Sequence, residues 1–109
     1  MSEDAEVTDD EIKLIATARE WRAGVWSLTN TFEHDGQCMA YQVDGVWRLT
    51  PAGAWAVLTS NGFVLEQSDE NSDEWYCAKP VRYGSRYHSY GPDPIRVIEL
   101  AELARLTKG

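Results

Sequence analysis

The chain is poor in the residues that most often carry chemistry. It has two cysteines, Cys38 and Cys77, and two histidines, His34 and His88. Two cysteines cannot build the multi-bridge framework of a small secreted domain, so a reduced, cytoplasmic setting is expected. No apolar run approaches the roughly 20 residues that a membrane helix needs. The first residues are acidic and polar, the reverse of a signal peptide. Basic residues are also scarce: 10 Lys and Arg stand against 18 Asp and Glu, a net charge of −8. Nucleic acids and anionic membranes both recruit cations, so direct binding to DNA, RNA or membrane is not expected, while a basic protein partner suits the charge. There is no phosphate-cradling glycine loop, nucleophile elbow or paired-carboxylate motif. A non-enzymatic protein without a cofactor is expected.

What is present is aromatic. Five Trp and five Tyr in 109 residues supply large buried area, so a single small core is sufficient. Residues 1–7 read as a flexible acidic tail and residues 8–109 as a single domain.

Thr8 and Glu11 form a capping box, with Asp9, Asp10 and Glu11 at the positive end of the helix dipole. That helix is expected to run to about residue 23 and stop at Gly24, with Ile12, Ile15, Ala18 and Trp21 as its apolar stripe. Strands follow at 25–32, 37–43 and 46–49. The turns between them lie at 33–36 and at Asp44-Gly45, each with an Asp-Gly pair. GVWSLT begins at Gly24 and GVWRLT at Gly45, but their flanks differ, so the near-identity reads as coincidence. Thr50-Pro51 starts a second helix, closed by Asn61-Gly62, with Trp55, Leu58 and Phe63 as core nuclei. Strands at 63–66 and 75–79 flank an acidic loop at 68–74. Residues 80–94, rich in proline and glycine, read as loop, and Asp93-Pro94 starts a helix over 95–106. The order α-β-β-β-α-β-β-α defines an α+β fold: antiparallel β-hairpins with three helices packed on the sheet.

The hairpin and helix around Arg48-Leu49-Thr50-Pro51-Ala52-Gly53 resemble part of a winged-helix domain, where such a phrase opens a helix in many transcription regulators. The resemblance covers about a fifth of the chain and implies a winged-helix-like shape. DNA reading does not follow, because residues 51–61 hold no Lys or Arg to meet phosphates and base edges.

Residues 79–90, KPVRYGSRYHSY, hold three cations and no acid in an otherwise acidic chain. Arg82, Tyr83, Arg86, Tyr87, His88 and Tyr90 are the candidate protein-binding residues, since Arg and Tyr dominate interface hot spots. The exposed face of Trp47 or Trp75 is expected to add to this contact. His34, Cys38, Cys77 and His88 would make one Cys₂His₂ zinc set if the fold joined them, although the spacing matches no zinc module. Cys38 beside His34 and Asp35 also permits a nucleophile with its base, but without an oxyanion-forming phrase. The leading expectation is a small interaction module that binds another protein through the Arg/Tyr loop. The alternative is an acidic inhibitor or nucleic-acid-mimicking decoy, of the kind phages encode, that blocks a basic nucleic-acid-handling protein. A winged-helix-like regulator or a zinc protein comes after these.

Overall fold

The computed structural model describes residues 7–68 and 73–108. Residues 1–6 of the tail expected at 1–7, and most of the acidic loop at 68–74, lie outside the described residues. The α+β class and the antiparallel hairpins expected from the sequence are present, with ten elements among the described residues: three helices and two sheets, of four and three strands. No described helix is long and apolar enough to cross a membrane. The chain falls into two compact units that divide after Gly53.

The first unit opens with helix α1 (Asp9–Arg19), and the capping box forms as expected: Thr8 Oγ1 accepts from Glu11 N–H, and Glu11 Oε1 accepts from Thr8 N–H. The helix ends earlier than the expected residue 23. Glu20 takes the left-handed conformation at φ 59°, and Trp21 N–H bonds back to the Ala16 carbonyl. The buried stripe is therefore Ile12, Ile15 and Ala16, while Ala18 faces solvent and Trp21 is buried outside the helix. Val7, expected in the frayed tail, is buried and bridges Trp47.

A meander follows: β1 (Arg22–Trp26), β2 (Thr29–His34), β3 (Gln37–Val43) and β4 (Val46–Leu49), each antiparallel to the next. The two Asp-Gly turns form with positive φ at Asp35, Gly36, Asp44 and Gly45. The single strand expected at 25–32 is instead a hairpin. Ser27 (φ 47°) and Leu28 (φ 67°) make a two-residue turn without a glycine. Ala23, Phe32, Ala40 and Leu49 share one cross-sheet row; Phe32, Ala40 and Leu49 are buried and build the core face, while Ala23 at the edge is exposed. Phe32 tilts against Trp47 with ring centres 5.2 Å apart, and α1 packs on β4. Asp9 joins them, accepting from Trp47 Nε1 at 2.6 Å and Gln42 Nε2 at 3.2 Å.

Helix α2 (Pro51–Asn61) is fastened to β3 at its start. Thr50 Oγ1 accepts from Gly53 N–H and donates to the Cys38 carbonyl, while Thr50 N–H donates to the Met39 carbonyl. A Cβ on Gly53 would overlap the Met39 carbonyl oxygen, so glycine is required by proximity. α2 lies between two strands in sequence, so no helix joins it through the short turn of a helix-turn-helix pair.

In the second unit, α2 ends as expected: Gly62 has φ 70°, Phe63 N–H bonds the Leu58 carbonyl, and Phe63 is buried. Trp55, expected in the core, is exposed, because Ala54 and Val57 define the buried line and Trp55 sits about 100° round from Ala54. Strands β5 (Val64–Gln67), β6 (Trp75–Val81) and β7 (Gly84–Gly91) form the second antiparallel sheet. β7 occupies what was expected to be loop. Helix α3 (Pro94–Lys108) packs on β6 and β7 and starts as expected, with the Asp93 carboxylate accepting from Ile95 and Arg96 N–H. Val97, Ile98, Ala101 and Leu103 are buried, and so are two carboxylates, Glu99 and Glu102. Arg105 clasps Glu102 through Nε (2.8 Å) and Nη2 (3.1 Å), and Asn61 Nδ2 donates to it at 2.8 Å. A buried acid held by two residues is costly to disturb, since removing a partner leaves the charge uncompensated.

Candidate functional site

The Arg/Tyr segment is an ordered hairpin and not a loop. β6 and β7 pair from Trp75↔Gly91 to Val81↔Gly84, which leaves Arg82 and Tyr83 as a two-residue tip. Gly84, at φ 126°, adopts a backbone that other residues rarely reach, and so permits the reversal. The register shifts between Cys77 and Lys79: Cys77 faces Ser89, but Lys79 faces Arg86. Tyr87 and His88 therefore stand together opposite Ala78 in a bulge, and Tyr87 takes φ 58° to make it.

The bulge separates the six candidate residues into three groups. At the tip, Tyr83 is 89% exposed and the Arg82 guanidinium lies 5.6 Å from its ring centre. At the bulge, Arg86 lies 6.0 Å from the Tyr87 ring centre, and both border a depression of about 440 Å³ with His88 and Ala104. At the base, Tyr90 meets Tyr76 with ring centres 4.9 Å apart. Those two tyrosines line a second depression, about 290 Å³, with Glu66, Gln67, Ser68 and Glu74.

His88 has structural work on both ring nitrogens. Nε2 lies 2.9 Å from the Ser85 carbonyl, which requires it to carry the proton, and Nδ1 lies 3.2 Å from the Tyr76 hydroxyl. The Tyr76 hydroxyl also reaches Ser85 Oγ at 3.1 Å. These contacts pin the outer half of β7 to β6. Tyr76 and Ser85 were not candidates from sequence, because only pairing across the hairpin brings them to His88. Lys79 turns away from the cluster, and its Nζ donates to the Asn61 carbonyl at the end of α2.

The remaining sequence candidates are dispersed. His34 ends β2, with Nδ1 3.5 Å from the Asp35 carboxylate. The Cys38 thiol is exposed and donates to the Ala40 carbonyl; its pKa is raised by partial burial and, to a smaller extent, by Glu33. Cys77 is fully buried, and burial pushes its thiol to about 11. A nucleophilic cysteine needs the opposite shift, so neither thiol is activated. Among the described residues no three His, Cys, Asp or Glu side chains form a metal-holding group. Of the tryptophans considered as contact residues, Trp47 is buried and Trp75 half-buried, whereas Trp26 and Trp55 are exposed. No protein-family model, curated protein or solved structure matches the chain.

Proposed function

We propose that the chain is a small non-enzymatic module that binds another protein through the outer half of the β6–β7 hairpin. The observation that carries this reading is the tip, where an almost fully exposed tyrosine and a stacked arginine project from a pinned, two-residue turn. Holding Arg82 against Tyr83 before contact lowers the entropy lost on binding. Arg and Tyr are also the side chains that most often dominate interface energy. Arg86 extends the same cationic edge.

The test is a double replacement, Arg82→Ala with Tyr83→Ala, compared with the unaltered chain. Both are immobilised, a captured partner is identified from the source-cell lysate, and the purified partner is then titrated. Binding should weaken by about tenfold or more, as expected for two hot-spot residues, with the melting temperature held within a few degrees. Equal affinity for both chains would remove the tip from the reading. Tyr87 is left intact because it shapes the bulge.

The acidic decoy has weaker support. Glu11 and Asp93 cap helices, Asp9 holds Trp47 and Gln42, and Glu99 and Glu102 are buried, so five of the 18 acids have a role in the fold that needs no partner.

A further inference from the structure

In the first unit, β1 is an edge strand: among the described residues it pairs with β2 alone. The two-residue turn makes Trp26↔Thr29 a hydrogen-bonded pair, so Gly24↔Thr31 and Arg22↔Glu33 are as well. Ala23 and Val25 consequently direct their N–H and C=O groups away from β2. That outward row is a template for one more strand.

Gly24 lies in the middle of this strand, where glycine weakens a sheet and marks a close approach. The close approach is by Glu33. A Cβ on Gly24 would lie 2.9 Å from Glu33 Oε2, so the carboxylate reaches across β1, steadied by a 3.3 Å bond from Thr31 Oγ1. Beside it runs a groove of about 470 Å³ on the sheet face opposite the core row, walled by Trp26, Thr31, Glu33, Tyr41 and Val43. A second depression shares Glu33 and Gly36 with the first and adds Glu20 and Asp35 against Arg22 and His34. Three carboxylates meet there with one arginine and one histidine, which favours a cationic guest.

We propose that the free edge of β1 takes an extended peptide segment with a lysine or arginine opposite Gly24. The residue facing Gly24 across a new antiparallel ladder sits in the close, non-hydrogen-bonded pair, with its side chain on the groove face. Without a Cβ at Gly24, a long side chain crosses the strand to the Glu33 carboxylate, and its stem and charge lie beside the Trp26 ring. A short side chain does not reach. The backbone ladder provides attachment, and Glu33 provides selectivity for charge.

The probe is a labelled seven-residue peptide of alternating threonine and valine with arginine at its centre, and a twin with glutamine there. Amide NMR titration should move Ala23, Val25 and Thr31 with the arginine peptide. The glutamine twin should bind about tenfold more weakly, the scale of one charge-assisted hydrogen bond. Glu33→Gln should erase that difference. Gly24→Ala should weaken the arginine peptide while keeping the fold, since its Cβ meets the movable end of Glu33 at 2.9 Å and, less closely, Thr31 Oγ1 at 3.3 Å. Equal affinity for the two peptides, or no binding at millimolar peptide, would overturn the proposal. So would shifts confined to the β6–β7 hairpin, or sedimentation showing that the free chain dimerises through β1. Variants of Arg82 and Tyr83 should leave this binding unchanged, which separates it from the hairpin contact.

Discussion

Two six-residue stretches, Gly24–Thr29 and Gly45–Thr50, differ only at their fourth position, yet the fold treats them as opposites. Trp47 is 6% exposed and Leu49 1%; Trp26 is 73% exposed and Leu28 99%. The cause is where the chain reverses. Asp44-Gly45 turns before the second stretch, so Val46 to Leu49 run as one strand with Trp47 and Leu49 on the same, inner face. In the first stretch the reversal falls on Ser27 and Leu28, and the leucine is carried out on the turn. Side-chain identity supplies the capacity to be buried; the phase of the nearest turn decides whether it is used.

Deleting each tryptophan in turn separates the two stretches most directly. Trp47→Ala removes the packing on Phe32 and should cost about 3 to 5 kcal/mol in urea or thermal unfolding, whereas Trp26→Ala should stay within about 0.5 kcal/mol. The two cysteines repeat the contrast in a form that pH can read. Between about 9 and about 11 the unfolded chain releases the Cys77 proton while the folded chain keeps it. The unfolded state then binds fewer protons, so stability falls as pH rises through that window, by up to about 2 to 3 kcal/mol. Replacing Cys77 with alanine should flatten this part of the stability-versus-pH curve.

Next in size is the polar anchor. Asp9→Ala leaves the Trp47 indole N–H without its acceptor and should cost about 1 to 3 kcal/mol by the same unfolding assay. The smallest effect separates the two glycines. Gly45→Ala forces a Cβ into a left-handed turn (φ 81°) and should cost about 1 to 2 kcal/mol, while Gly24→Ala, in extended backbone, should be close to neutral. Equal losses at the two glycines, or at the two tryptophans, would mean that turn phase is not what distinguishes the copies.

What could be read from sequence was local chemistry. Thr8 with Glu11, Thr50-Pro51, Asp93-Pro94, Gly62 with Phe63 and both Asp-Gly turns act within a few residues, and all formed where expected. The Ser27-Leu28 turn was not legible, because positive φ at two ordinary residues has no compositional mark and is held by the strands on either side. β7 was hidden by its flanking glycines and prolines, and by a bulge at Tyr87 and His88 that breaks simple alternation. The candidate residues of the hairpin were legible as a segment but not as three separate groups. The β1 groove was not legible at all. It depends on a side chain that is missing at Gly24 and on a carboxylate nine residues away that fills the space.

Val7 gives the first sheet a limit on its valence. Its carbonyl accepts from Trp47 N–H at 3.3 Å, so the β4 side is occupied at that point, while among the described residues no strand pairs with the outer side of β1. A sheet open on one side can gain a single neighbour, and that addition ends the series. A strand added at β4 would first have to displace the Val7 bridge, whereas at β1 no described residue has to move, so the two edges of one sheet differ in the cost of gaining a neighbour.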